Sequence, residues 1–153
     1  MPGAVASRLN AAGLALPAPA AAVGAYVPAV RSGSLVFTSG QLPMREGELL
    51  ARGVVGADVT PEEAATCASQ CALNALAAAS TVCDLDAVAR VVKLVGYVAS
   101  TADFGGQPGV INAASNVMSV AFGDAGAHAR EAVGVAALPL GAPVEVSLIL
   151  EVE

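Results

Sequence analysis

Residues 144–152 constrain the fold of this chain most. Val144, Val146, Leu148, Leu150 and Val152 are apolar, with Glu145, Ser147, Ile149 and Glu151 between them. A period of two predicts a strand with one face in a core, because successive side chains point to opposite faces. Residues 130–137 repeat the habit more weakly. There Val133 and Val135 share one face, and Arg130, Ala132, Gly134 and Ala136 the other. Leu138-Pro139-Leu140-Gly141-Ala142-Pro143 separates the two runs, so the pattern predicts a β-hairpin closed by a Pro/Gly turn. A one-residue slip would bury charge. The register that matches the apolar faces puts Arg130 and Glu145 on one face, with the small residues Ala132, Gly134 and Ser147 leaving room beside them. Such a face is either a solvated sheet surface or a pocket for a small anion with an acid–base carboxylate at its edge.

The clearest helix signal is Thr60-Pro61-Glu62-Glu63. Thr60 is a natural N-cap, proline fits the first helical position, and Glu63 completes a capping box. The helix it opens reaches about residue 81, and its Ala, Cys and Leu residues let it lie close on a sheet. Residues 108–122 predict a second helix with Val110, Ala114, Val117 and Val120 or Ala121 on one face. Residues 89–98 (ARVVKLVGYV) read as a strand buried on both faces. Upstream, residues 26–30 form an edge strand marked by Pro28. Ser32-Gly33 makes the turn into a more buried strand over residues 34–39, and residues 49–50 begin a short one. Residues 7–16 are a short helix or irregular lead-in ended by Pro17. The expected fold is a single α+β domain spanning residues 1–153, a mixed six-stranded sheet with two helices packed on one face.

Only 13% of residues are charged, roughly half the usual share, and 56% are hydrophobic. A small monomer does not easily hide that much apolar surface, so a homo-oligomer is expected, with neighbouring subunits over the helix-free face. A net charge of −6 with seven dispersed cations argues against nucleic-acid binding through phosphates. Three charge-poor stretches, residues 10–30, 64–83 and 104–123, are broken by prolines or polar residues and do not read as membrane spans. No basic-then-apolar leader is visible, which makes the cytoplasm the expected location. Cys67 and Cys71 stand at helical i,i+4 spacing, but the only histidine, His128, lies far along the chain, and Cys83 is not at ligand spacing. Reduced, buried thiols and no metal site are expected.

Several short stretches recur in a known order. They are Tyr26 in AYVPAV, Ser39-Gly40-Gln41-Leu42-Pro43 after the buried strand, Asn112 in VINAAS, His128-Ala129-Arg130, the Leu138-Pro139 turn and Val144-Glu145-Val146. Fifteen residues separate Arg130 from Glu145, and thirteen separate Tyr26 from Ser39. In these residues and spacings the chain resembles the YjgF/RidA family, also called L-PSP endoribonuclease-like. The wording HAREAVGVAALPL, with the RLNAAGLALP lead-in, is similar to the branch labelled chorismate-mutase-like after its fold, a label that implies no mutase activity. The resemblance implies the chorismate-mutase-like YjgF fold, assembled as a homotrimeric barrel with active sites in clefts between subunits. It implies hydrolysis of reactive 2-imino or 2-enamino acids to 2-keto acids and ammonia, with no cofactor, since an imine carbon is already electrophilic. By the same resemblance Arg130 grips the substrate carboxylate, through paired charge-assisted bonds that lysine cannot match. Glu145 orients or deprotonates water, and Tyr26, Ser39 and Asn112 line the pocket. Ser39 is not expected to be a nucleophile, because no histidine has a reason to sit beside it; His128 is read as structural or as part of the pocket rim. The chain departs from the family pattern at Ala132, where a cysteine is common, at His128, where the usual wording has proline, and in its longer lead-in. Two other functions fit less fully: a non-catalytic binder of small carboxylates, and a ribonuclease, against which the acidic charge and the lack of a histidine pair count.

Overall fold

The computed structural model describes residues 2–22 and 24–153. Its elements are α1 (Ala4–Ala11), β1 (Ala29–Ser32), β2 (Leu35–Thr38), β3 (Met44–Arg45), β4 (Glu48–Leu49), α2 (Pro61–Ala79), β5 (Val88–Ala99), α3 (Gln107–Phe122), β6 (Ala129–Val135) and β7 (Val144–Val152). Five strands form a mixed sheet in the order β1-β2-β7-β5-β6, and β3 and β4 pair as a separate small hairpin. Helix α2 packs against β7 and β2, and α3 against β5 and β6. The α+β class and the helix-covered face are as expected. The counts differ: three helices and seven strands among the described residues, instead of two and six. The added helix, α1, begins earlier than the lead-in reading placed it. Its first amides, at Ala4 and Val5, donate to the Asp86 carboxylate at 3.0 and 2.9 Å. A cap supplied from so far along the chain leaves no local trace in the sequence.

The predicted hairpin does not form. β6 and β7 occupy the expected residues, but β5 stands between them, parallel to β6 and antiparallel to β7. The reason is the crossover. β5, α3 and β6 make one βαβ unit, and the helix returns the chain to lay β6 beside β5 in the same direction. β7 then passes to the other side of β5, into the sheet centre. The connection is fixed on the way, since Arg52 Nη1 donates to the Leu140 carbonyl at 2.7 Å and the Gly53 amide to the Gly141 carbonyl at 2.8 Å. A central place suits β7, whose helix-facing residues from Val144 to Val152 are all buried.

Helix α2 is built as its sequence directs. The Thr60 hydroxyl accepts from the Glu63 amide at 3.1 Å and donates to the Glu63 carboxylate at 3.1 Å; such caps contribute about 1 kcal/mol. Thirteen residues of the helix are buried, including the polar pair Gln70 and Asn74. Burial is tolerable there because both are satisfied. Gln70 Nε2 donates to Asn74 Oδ1 at 2.9 Å, and Asn74 Nδ2 donates to the carbonyls of Leu42 and Met44 at 2.9 Å each. Arg45 donates twice to Gln70 Oε1. That network clamps the β3–β4 hairpin onto the helix. The cysteines are free, with Cys67 and Cys71 buried. Burial pushes the Cys67 thiol up to about 11 and the Cys71 thiol well above its ordinary value.

Candidate functional site

Arg130 lies near the start of edge strand β6, opposite Leu94 of β5, which in turn pairs with Leu148 of β7. Paired residues share a face, so Arg130 points to the helix side. There it meets polar groups of α3. Its Nη1 donates to Asn112 Oδ1 at 2.7 Å and to Ser115 Oγ at 3.3 Å. Ser115 also lies 2.9 Å from His128 Nε2, and His128 Nδ1 lies 2.6 Å from the Gly126 carbonyl. Asn112 and Ser115 sit three apart on a helix and so share a face; His128 and Arg130 sit two apart and point the same way. Arg130 and Asn112, both named as pocket residues by the resemblance, are hydrogen-bonded to each other. Ser115 was not foreseen, and His128 proves to be part of the network.

Nη1 uses both its protons on α3. The Nε–Nη2 edge of Arg130 has no hydrogen-bond partner among the described residues, and their one ion pair is elsewhere, between Lys93 and Glu131. A guanidinium pinned by one corner, with its other edge free, is prepared for a planar anion.

Glu145 lies elsewhere. It pairs with Tyr97, which pairs with Val133, placing it on the sheet face that carries no helix. The expectation that Arg130 and Glu145 share a face is therefore overturned: in one copy of the chain they occupy opposite faces with β5 between them. Matching apolar faces misled the reading because β6 is an edge strand whose valines face the helix-free side. Val133 is 41% exposed there, on the same face as the 40%-exposed Phe37 of β2, three strands away. Arg130, Ala132 and Gly134 of β6 turn instead toward α3.

Glu145 packs against Gly40. A Cβ on residue 40 would lie 2.8 Å from the Glu145 carboxyl carbon, so any larger residue there would push the carboxylate out of this position. Partial burial raises the carboxyl above its ordinary value. Between the unfolded and the raised folded value, the folded state holds more protons, so stability falls as pH rises through that window. Above the window the ionised side chain costs stability. Glu145→Gln is accordingly expected to raise Tm at neutral pH. The gain should vanish below about pH 4, where both states are protonated; thermal unfolding across pH checks it, and an unchanged or lowered Tm at neutral pH would contradict it.

Ser39 and Tyr26 fall on the Glu145 side. The Ser39 hydroxyl donates to the Val27 carbonyl at 2.6 Å, and its amide to the Pro28 carbonyl at 2.8 Å, tying the stretch after Tyr26 to the end of β2. Tyr26 is exposed and lies before β1, not inside a strand. With Gly40 it borders a cleft of about 1390 Å³ between the N-terminal lead-in, the β3–β4 hairpin and α2. Neither Arg130 nor Glu145 lines it. The five expected site residues thus form two groups, Arg130 with Asn112 at the sheet edge, and Tyr26, Ser39 and Glu145 around Gly40. No helix among the described residues is long and apolar enough to cross a membrane.

Comparison with known proteins adds a family. The profile described as "YjgF/chorismate mutase-like, putative endoribonuclease" matches residues 6–152. Protein TCP17 of Trypanosoma cruzi is 43% identical over 151 residues, 97% of this chain and 94% of the relative. The crystal structure of Atu1372 from Agrobacterium tumefaciens, a protein of unknown function, is 43% identical with a TM-score of 0.89, over 98% of this chain and 94% of that one. Escherichia coli TdcF with bound serine is 27% identical with a TM-score of 0.61, over 89% and 94%.

Proposed function

This chain belongs to the YjgF/chorismate-mutase-like family, and from that membership we propose that it hydrolyses reactive 2-imino or 2-enamino acids to 2-keto acids and ammonia, without a cofactor. The observation that carries the reading is the free Nε–Nη2 edge of Arg130, held in place by Asn112 and Ser115. An arginine edge takes a carboxylate through two parallel bonds, which fixes the attached imine carbon in position. Glu145 supplies the second function. As a carboxylate it accepts a proton from water and directs the oxygen at that carbon.

One copy does not bring these groups together. The reading therefore includes an assembly, a homotrimer in which the β6 edge of one subunit closes over the Tyr26, Ser39 and Glu145 group of the next. The helix-free face supports this, since Val30, Phe37 and Val133 expose apolar surface on it and burying such a patch favours association. Substrate would then bind between subunits.

A coupled assay tests the proposal. An amino-acid oxidase generates the imine, semicarbazide traps it, and the protein competes with the trap. Lower semicarbazone formation is expected. If none of several amino acids gives it, while small 2-keto acids still raise Tm, the protein is a carboxylate binder and not a deaminase. That second reading is favoured by the serine held in TdcF, a small carboxylate in a similar fold. The endoribonuclease label of the family finds little support in a net charge of −6, which repels phosphate.

A further inference from the structure

We propose that Ser115 is a nucleophile with His128 as its base, giving the protein an acyl-ester hydrolase activity toward small carboxylic esters. The direction of every hydrogen bond around Ser115 follows from chemistry. The Gly126 carbonyl can only accept, so His128 Nδ1 carries the proton in the neutral ring, and Nε2 is left as an acceptor. A guanidinium can only donate, so Ser115 Oγ receives a proton from Arg130 Nη1. The serine hydroxyl is then the donor to His128 Nε2, at 2.9 Å. One lone pair of Oγ is taken by Arg130 at 3.3 Å, and the other is free for attack.

This arrangement is unusual within the chain. Helical hydroxyls ordinarily bond back to a carbonyl of their own helix. Thr66 of α2 does so to Glu62, and just past the end of that helix Ser80 bonds back to Ala77 and Thr81 to Ala78. Ser115 gives its proton to an imidazole from another element. A nucleophile in hydrogen-bond reach of a base, with the base oriented by a third group, is the arrangement that activates serine. Ser115, His128 and Arg130 are all half-buried, so the network is partly shielded from water and partly open to solvent.

The chemistry closes without another reagent. As Oγ bonds the acyl carbon, the hydroxyl proton passes to His128 Nε2, and the carbonyl electron pair moves to oxygen. The guanidinium of Arg130, its Nη1 3.3 Å from Oγ, offsets that negative charge. Collapse expels the alkoxide, which takes the proton from His128. A water molecule, giving its proton to His128, then attacks the acyl-serine. The carboxylic acid leaves, and the proton returns to Ser115. The step needs neither Glu145 nor an imine, so this activity and the deaminase reading can fail independently.

The test uses the full chain with p-nitrophenyl acetate and a fluorophosphonate, followed by mass spectrometry of the labelled peptides. The expected result is p-nitrophenol release, and a phosphonyl adduct on Ser115 that forms at least about 10²-fold faster in wild type than in His128→Ala, the usual contribution of a general base. Ser115→Ala should carry no adduct within α3. Where His128→Ala loses the native Tm, His128→Gln takes its place with the same threshold. A folded wild-type protein that gains no adduct on Ser115 overturns the proposal. So does equal labelling of Ser115 with and without His128, which would make it an accessible hydroxyl and nothing more.

Discussion

Arg130→Ala is expected to lower imine hydrolysis by about 10²-fold or more, the usual effect of removing a preorganised charged donor. Glu145→Ala should lower it as well, and the pair together say more than either alone. The two residues lie on opposite faces of the sheet with β5 between them, so a site that uses both must draw them from different copies. Mixing the two inactive variants under conditions that exchange subunits should therefore restore activity. In a closed ring assembled at random from equal amounts, about one site in four takes its arginine from a Glu145→Ala copy and its glutamate from an Arg130→Ala copy. Recovery of roughly a quarter of wild-type activity is the expected result. If exchange is complete and nothing returns, the two residues do not serve one intersubunit site. Arg130→Lys separates charge from shape: lysine keeps the cation but loses the paired geometry, so it should recover binding more than turnover.

Much of this architecture could be read from the chain, and the missing part has one cause. Strands and helices that announce themselves locally lie close to their expected places: α2 behind its Thr60 cap, α3 with Pro108 in its first turn, and β7 with its strict alternation. What failed was the choice of partner. Adjacent strands joined by a proline turn suggested a hairpin, yet β6 follows α3, and a strand after a crossover helix pairs with the strand before that helix. Had the β5–α3–β6 unit been recognised, the face of Arg130 would have followed. Asn112 and Ser115, one helical turn apart, would then have faced His128 and Arg130, two apart on a strand, and the whole network would have been legible. The Gly40–Glu145 contact and the Asp86 cap of α1 are different. They join segments far apart in sequence through the packed fold, and no periodicity encodes them.

Gly126→Ala is expected to be the costliest small substitution near the site. A Cβ at residue 126 would overlap the Met118 carbonyl oxygen and lie 2.7 Å from the Met118 carbonyl carbon and 3.1 Å from the Ser119 amide nitrogen. These are backbone atoms of α3, not the yielding end of a side chain. The helix has little room to retreat, because Ile111, Met118 and Ala121 are fully buried. Relief must come from moving the 123–126 turn or straining α3, at a cost of about 1–3 kcal/mol, or a fall in Tm of roughly 3–10 °C for a chain of this size. Gly109 supplies the contrast. It lies in the same helix with nothing within 4 Å of a built Cβ, so Gly109→Ala should gain about 0.5–1 kcal/mol from lower backbone entropy in the unfolded chain. The Gly126 effect also has a chemical arm. The carbonyl of Gly126 fixes the ring of His128, and a displaced turn withdraws it, so fluorophosphonate labelling of Ser115 should slow at temperatures where the variant is still folded. An unchanged Tm would show that the turn does not press on α3. A lowered Tm with undiminished labelling would show that the turn holds the fold without orienting the imidazole.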